Sequence, residues 1–199
     1  IIFIIEGAEE SASVDLEKYL AKHRSALVGA DLLVWEQGIF NQQQQMEISG
    51  GTKGILTFDA KVKSADVDIH SKFGGTINSS SWYLINALSS IRDGRGKILV
   101  DGIYDDVLEP TEREMDLVRQ YALVDEQHLK KVYDLKLPFL TQDQDALLKN
   151  LFFEPSINIQ GVQTGYQGQG VKTILPAEAS AKLEVRLVPG MKPRKVFQQ

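Results

Sequence analysis

The sequence predicts two unlike pieces of fold, namely part of a doubly wound α/β domain followed by a larger α+β domain. Two continuous apolar runs, at residues 1–5 and 32–35, indicate the first piece, because strands buried on both faces of a parallel sheet have this pattern. Two stretches of alternating apolar and polar residues, at 56–63 and 178–187, indicate the second piece. Such alternation is typical of an antiparallel sheet with one wet face, here with helices on the other face.

A change of pattern near residue 50 marks the best domain boundary. The continuous apolar runs end before Gly50-Gly51, and the alternating stretches begin after it. We therefore expect a partial α/β domain over residues 1–49 and an α+β domain over residues 50–188. Residues 189–199 are expected to return the chain to the first domain.

A helix is expected between the two buried strands of the first piece. From Val14 to Leu27 the apolar residues recur at helical spacing, and Gly29 is well placed to end the helix. The chain opens inside the first predicted strand, whose neighbouring strands must come from elsewhere to pair with its backbone. We therefore expect the sequence to be an internal piece of a longer protein.

Helices are also expected in the second piece. Apolar residues at helical spacing predict one from about Ser80 to Arg92, and the region from Thr111 to about Leu151 is mostly helical in pattern. Thr111 and Glu114 have the spacing of a capping box, in which each side chain bonds to the other residue's backbone amide. These helices are expected to form the layer on one face of the antiparallel sheet.

Composition excludes several classes of protein. The 199 residues carry a net charge of −5 with the acidic residues scattered, which argues against a nucleic-acid-binding surface. There is no cysteine, so disulfides, thiolate metal sites and cysteine nucleophiles are excluded, and a cytoplasmic location is expected. No apolar stretch approaches the roughly 18–20 residues that cross a bilayer, so no membrane partner is expected.

Carboxylates follow both predicted buried strands. Glu9 and Glu10 come soon after the first strand, and Glu36 directly follows the second. Because the carboxyl ends of such strands converge on one crevice, these side chains are candidates for a ligand site. Adjacent ionised carboxylates need a nearby cation or open water, so one interpretation is a divalent metal with one Glu as ligand and the other as base. A solvated acidic turn is the other interpretation.

Two further residues are candidates for binding chemistry. His70 follows Asp68 at a spacing that places both side chains on one side of an extended segment, so the two could form a carboxylate–imidazole pair. The other interpretation is a loop histidine that is hydrogen-bonded to its neighbour. His23 and His128 lie in predicted helices and are interpreted as structural. Arg186, on the polar face of the last strand, is either a bidentate clamp for a carboxylate or one half of a cross-strand ion pair.

Three ordered motifs along almost the whole chain resemble the M20 family of metallopeptidases, and within it the carnosinase-like dipeptidase branch. They are Glu6-Gly7-Ala8-Glu9-Glu10-Ser11, then Asp68-Ile69-His70-Ser71 with Gly74-Gly75, and finally Lys172-Thr173-Ile174-Leu175-Pro176-Ala177-Glu178 with Arg186-Leu187-Val188-Pro189-Gly190. The resemblance implies that the first domain is part of a peptidase catalytic domain. It implies that the second is a lid and dimerisation domain.

The resemblance also implies catalytic roles in the first domain. By motif position, Glu9 is the general base that deprotonates a metal-bridging water. Glu10 and Glu36 are ligands of a pair of divalent metal ions, usually zinc and sometimes manganese. The dipeptidase branch more often has Asp at the position of Glu36, and it usually has Gly at the position of Ala12.

The second domain is implied to contact the substrate. His70 corresponds to a lid histidine that, in dimeric relatives, reaches the partner subunit's site and stabilises an oxyanion. Arg186 is implied to bind the substrate's carboxylate, with Thr173 nearby. The partners implied are therefore a dipeptide or short peptide substrate and a second copy of the protein, bound through the lid.

The family's His-x-Asp motif, its bridging Asp and its final His ligand are absent from this sequence. A di-metal site has too few ligands without them. We therefore expect the full-length protein to be a di-zinc-type hydrolase of dipeptides or short peptides, and the chain alone to be inactive. Two alternatives stay open: a non-catalytic dimerisation or binding module, and a deacylase of N-acyl amino acids from the same superfamily.

Overall fold

The computed structural model shows two compact units, Ile1–Gly50 and Gly51–Gln199. The residues that it describes are 1–11, 13–34, 39–40, 44, 46–47, 50–121 and 126–199. Within these residues no helix is both long and apolar enough to cross a membrane.

Among its described residues, the first unit contains only short elements. It has a 3-10 helix, two α-helices and a two-stranded antiparallel ladder in which Ile39 pairs with Glu47. Their bounds are Glu9–Ser11 for the 3-10 helix, Leu16–Lys22 (α1), Arg24–Leu27 (α2), Ile39–Phe40 (β1) and Met46–Glu47 (β2). The single helix expected from Val14 to Leu27 is therefore interrupted at His23.

The two buried strands predicted for this unit are corrected by the structure. Residues 1–5 and 32–34 have no regular secondary structure, and their large apolar side chains are exposed. A strand buried on both faces requires neighbouring strands that satisfy its backbone and cover its side chains. No described strand pairs with either segment, so apolar composition alone does not make a sheet here. Trp35, the last residue of the second run, lies outside the described residues.

The second unit combines five strands with five helices among its described residues. The strands are Gly54–Lys63 (β3), Ile69–His70 (β4), Ser156–Thr164 (β5), Ile174–Leu175 (β6) and Glu178–Leu187 (β7). The helices are Ser80–Ser90 (α3), Glu112–Tyr121 (α4), Glu126–Tyr133 (α5), Gln144–Phe152 (α6) and Pro193–Gln198 (α7). A 3-10 helix, Ser71–Phe73, follows β4.

The centre of this unit is a three-stranded antiparallel sheet in the order β3-β7-β5, which confirms the predicted antiparallel sheet. The middle strand, β7, pairs along its whole length with β3 and over most of its length with β5. Leu183, for example, lies opposite Phe58 on one side and Ile159 on the other. A separate two-stranded ladder joins β4 to β6.

Alternation along β7 gives the sheet one buried and one polar face. The buried side chains are Ala179, Ala181, Leu183, Val185 and Leu187. They form a core with Leu84 of α3 and with Ile98 and Ile103 from the segment after that helix. The polar face carries Lys182, Glu184 and Arg186.

Four of these helices fall into two groups. α3 and α7 pack on the sheet, whereas α4 and α6 pack on each other. The predicted capping box at the start of α4 is confirmed, because Glu114 Oε2 accepts from Thr111 N at 2.7 Å and Thr111 Oγ1 accepts from Glu114 N at 3.3 Å. Arg119 of α4 forms an ion pair with Asp145 of α6 at 2.9 Å, which joins the two helices at their exposed surface.

Leu183, at the buried centre of β7, is expected to be critical for stability. Replacing it with Ala should lower the free energy of unfolding by about 2–5 kcal/mol, because buried contacts are lost and a cavity remains. Denaturant unfolding followed by circular dichroism measures this change. The control is Leu137→Ala, at an exposed position, which should change the free energy by less than about 0.5 kcal/mol. Equal effects of the two variants would contradict this assignment of the core.

Candidate active-site residues

Glu9 and Glu10 lie next to each other in the 3-10 helix of the first unit, and both are exposed. Neither carboxylate makes a hydrogen bond or ion pair with a described residue. The turn that carries them is closed by the carbonyl oxygen of Ala8, which accepts from the amide of Ser13 at 3.0 Å. Ser13 Oγ donates to Glu6 Oε2 at 3.1 Å, so Glu6 is engaged while its two acidic neighbours stay available.

The described residues do not form a metal centre by themselves. Glu36, predicted to be a further ligand, lies outside the described part of the chain. Among the residues that are described, no group of three or more His, Cys, Asp or Glu side chains is arranged to hold a metal ion. Because protein zinc sites use at least three protein ligands, a site at Glu10 needs ligands from beyond the described residues.

The ladder between β4 and β6 brings together His70 and Thr173, which are far apart in the sequence. His70 pairs with Ile174, and the amide of Ser71 donates to the carbonyl oxygen of Thr173 at 2.9 Å. Both side chains are exposed. Neither the Thr173 hydroxyl nor His70 Nε2 makes a hydrogen bond with a described residue. The backbone pairing therefore presents an imidazole and a hydroxyl on neighbouring segments.

The His70 ring is oriented by the turn that follows it. Its Nδ1 accepts a hydrogen bond from the amide of Lys72 at 3.1 Å. A ring nitrogen that accepts a hydrogen bond does not carry the proton, so the neutral imidazole has its proton on Nε2. His70 can then donate from Nε2 to an oxygen atom of a ligand.

Asp68 does not pair with His70, so the predicted carboxylate–imidazole pair is wrong. Asp68 Oδ1 instead accepts from the amide of Ala177 at 3.0 Å. The Ala177 carbonyl oxygen accepts from the amide of Ser64 at 2.8 Å. A backbone amide that would otherwise lack an acceptor is a strong partner for a carboxylate. Asp68 thereby fastens the segment before His70 to the segment after Thr173.

Arg186 lies on the polar face of β7, opposite Ile55 of β3 and Ser156 of β5. Its Nε donates to Glu184 Oε1 at 3.1 Å. An ion pair is therefore present, although its acid belongs to the same strand and not to a neighbouring one. The two terminal nitrogens of Arg186 make no hydrogen bond with a described residue, and the side chain is 44% exposed. Arg186 can consequently still bind an anion.

Glu184 is the residue that the sequence did not single out. Its carboxylate accepts from Asn158 Nδ2 at 3.1 Å and from Gln160 Nε2 at 2.7 Å, besides Arg186 Nε. The hydrogen bond from Asn158 is the main cause that lowers the pKa of Glu184, against the raising effect of burial. A register shift between Ile159 and Gly161 leaves Gln160 without a cross-strand partner of its own. Only the strand register reveals this network.

The second unit is thus an α+β domain that presents polar groups for binding but no complete catalytic centre among its described residues. Residues 50–199 match the family model described as "Peptidase dimerisation domain" (M20_dimer). The chain belongs to this M20 peptidase family. The predicted family resemblance and the predicted α+β fold are confirmed.

Curated proteins named as dipeptidases are among those similar to this chain. The chain is 35% identical over 193 residues to human "Beta-Ala-His dipeptidase", covering 96% of this chain and 38% of that protein. It is 28% identical over 198 residues to "Cys-Gly metallodipeptidase DUG1" of Saccharomyces cerevisiae, covering 98% of this chain and 41% of that protein. The chain therefore spans about two fifths of the length of the relatives that it matches.

Two solved structures share this fold over nearly the whole chain. An M20 family metallo-carboxypeptidase, Sso-CP2 from Sulfolobus solfataricus, is 35% identical with a TM-score of 0.87, covering 97% of this chain and 44% of that chain. Human carnosine dipeptidase 1 is 32% identical with a TM-score of 0.77, covering 99% of this chain and 41% of that chain. The residue roles and domain limits given above stay predictions.

The contact between Asp68 and Ala177 generates a test of how His70 is held. In Asp68→Ala the Ala177 amide loses its acceptor, so its hydrogen exchange should be about 5–150-fold faster, equivalent to roughly 1–3 kcal/mol. Amide exchange measured by mass spectrometry or NMR checks this. The matched control is Asp66→Ala, because Asp66 forms only an exposed ion pair with Lys63. Unchanged exchange in Asp68→Ala would show that this carboxylate does not fix the segment.

Proposed function

We propose that the chain is part of a longer metal-dependent hydrolase that cleaves the amide bond of dipeptides or short peptides. The observation that carries this proposal is the 35% identity, along 96% of the chain, to a protein named as a dipeptidase. The chemistry of the exposed side chains supports it. His70, Thr173 and Arg186 all present groups that the described residues leave unengaged.

The second unit supplies the groups that hold the substrate in this proposal. Arg186 binds the terminal carboxylate through its two terminal nitrogens, since a planar guanidinium matches the two carboxylate oxygens. His70 donates from Nε2 to the oxygen that becomes negative during attack on the amide. Thr173, on the neighbouring segment, offers a hydroxyl to the same substrate. By the family resemblance, His70 serves the site of the partner subunit.

The first unit supplies catalytic carboxylates in this proposal. Glu9 acts as the general base that takes a proton from the attacking water. Glu10 and Glu36 are ligands of divalent metals, two in number and either zinc or manganese, whose remaining ligands lie outside this chain. The exposure of Glu9 and Glu10 and their lack of described partners support these assignments.

Glu9→Gln in the complete protein tests the proposed base. Turnover of a dipeptide should fall by about 10²–10⁴-fold, because Gln cannot accept the proton, while the bound metal should stay unchanged. Steady-state kinetics and metal analysis by mass spectrometry measure the two quantities. The control is Glu17→Gln, at an exposed carboxylate on α1, which should preserve both. Turnover unaffected by Glu9→Gln would remove Glu9 from the role of base.

One alternative function has support of its own, because the matching family model describes a dimerisation domain. In that case the complete protein would be a binding module without catalysis. The absence of both bound metal and dipeptide hydrolysis in the complete protein would favour the module. Faster hydrolysis of N-acyl amino acids than of dipeptides would instead favour the deacylase.

We also propose that the protein forms a homodimer through the second unit. Ile159 and Val162 are half exposed on β5, an outer strand of the described sheet whose free edge can pair with a second copy. Ser81 of α3 and Thr164 of β5 share a hydrogen bond of 2.6 Å, which places this flank of α3 next to the strand. Ile85, one turn beyond Ser81, adds further exposed apolar surface.

Ile159→Lys tests this dimer surface. The variant should raise the dissociation constant of the dimer at least about tenfold, because a charge replaces an apolar contact at the edge of the sheet. Sedimentation velocity over a range of concentrations measures the constant. The matched control is Ile55→Lys, because Ile55 is 50% exposed on the opposite outer strand. A wild-type protein that stays monomeric at high concentration would contradict the proposal.

A further inference from the structure

The polar face of β7 contains a buried carboxylate. Glu184 is only 7% exposed, although Lys182 and Arg186, its neighbours on the same face of the strand, are exposed. Burying a carboxylate is costly unless its oxygens receive hydrogen bonds. A face that only contacts solvent does not require a buried carboxylate, so Glu184 has a role beyond solvation.

Three donors satisfy the carboxylate of Glu184, and one of them is the candidate substrate-binding arginine. Asn158 and Arg186 donate to Oε1, and Gln160 donates to Oε2. Asn158 and Gln160 belong to the neighbouring strand, so β5 fixes the carboxylate in place. The carboxylate then fixes Arg186, because a charge-assisted hydrogen bond is strong and directional.

The arrangement leaves one edge of the guanidinium open. Nε is occupied by Glu184, whereas neither terminal nitrogen has a hydrogen bond to a described residue. A carboxylate can bind end-on to the two terminal nitrogens with two parallel hydrogen bonds. Holding a long side chain in place beforehand reduces the entropy that is lost when the ligand binds.

Further charged residues lie near Arg186 besides Glu184. Burial lowers the pKa of Lys53, the carboxylate of Glu154 raises it, and the nearby guanidinium of Arg186 lowers it by a smaller amount. Lys53 Nζ donates to the carbonyl oxygens of Asn150 and Glu154, at 3.2 and 2.6 Å, which holds it at the start of β3. Two carboxylates, those of Glu154 and Glu184, therefore accompany the two cations, so Arg186 binds an anion through its open hydrogen-bonding edge and not through an excess of positive charge.

We propose that Glu184 is a positioning residue, which orients Arg186 through Nε so that both terminal nitrogens receive the substrate's carboxylate end-on. This inference rests on the proposed function, in which Arg186 binds that carboxylate. Glu184 itself does not touch the substrate. Its effect is therefore confined to ligands that carry the carboxylate.

Kinetics of the complete protein test this with a dipeptide and its C-terminal amide. In Glu184→Gln the KM for the free acid should rise about tenfold with little change in kcat, whereas the KM for the amide should stay constant. Asn158→Ala removes one donor to Glu184 but no charge. It should therefore raise the ratio of the KM for the free acid to the KM for the amide, by a smaller factor than Glu184→Gln does. The matched control is Asp59→Asn, which breaks the ion pair with Lys182 on the same sheet face and should leave the ratio unchanged.

Arg186→Lys separates failure of this inference from failure of the proposed function. If Arg186→Lys loses the preference for the free acid but Glu184→Gln keeps it, Arg186 binds the carboxylate and the positioning role is overturned. If neither variant changes the preference, the proposed role of Arg186 is wrong and the inference falls with it. If Glu184→Gln lowers kcat/KM equally for the free acid and the amide, the role of Glu184 is purely structural and the positioning role is overturned.

A crystal structure of the Glu184→Gln protein gives a readout that does not depend on activity. The guanidinium of Arg186 should leave the position seen here, because Gln has no charge and only one acceptor oxygen for the three donors, so its hydrogen bond from Arg186 Nε is weaker. A guanidinium that keeps its position without the carboxylate would overturn the positioning role, whatever the kinetics show.

Discussion

The antiparallel pairing of β7 with strands on both of its sides is the constraint on which the second unit depends. β7 is the only strand in the described sheet with two neighbours, so its backbone groups are paired on both edges. Its alternating sequence sends small and branched apolar side chains toward α3 and charged side chains to the opposite face. A one-residue slip in register would exchange those faces, so the core that stabilises the strand also fixes the position of Arg186.

The same strand determines where the smaller ladder lies. β6 precedes β7 by only a few residues, and Asp68 bonds to the amide of Ala177 in the short segment that joins them. The pairing of His70 with Ile174 follows from that connection. The candidate binding residues of this unit are therefore held by one continuous run of chain, from Thr173 to Arg186, together with its backbone partners.

The sequence predicted the sheet of the second unit well because alternation is a local signal that burial reinforces. Continuous apolar runs carried less information, and residues 1–5 lie exposed because no described strand pairs with them. The sequence motifs singled out His70, Thr173 and Arg186 as candidate binding residues. The ladder that brings His70 next to Thr173 could not be predicted from the sequence. Glu184 was missed because its role depends on Asn158 and Gln160, whose position opposite it follows from strand register and a bulge.

The sequence offered two interpretations of Arg186, as an ion-pair partner or as a carboxylate clamp, and the structure shows why they are compatible. A guanidinium has three nitrogens in a rigid plane, and an ion pair through Nε uses only one of them. Lysine has a single charged nitrogen, which cannot form a fixed pair with Glu184 and also offer a planar two-nitrogen edge to a ligand. The buried carboxylate therefore gives a reason for arginine at this position that neither interpretation provides alone.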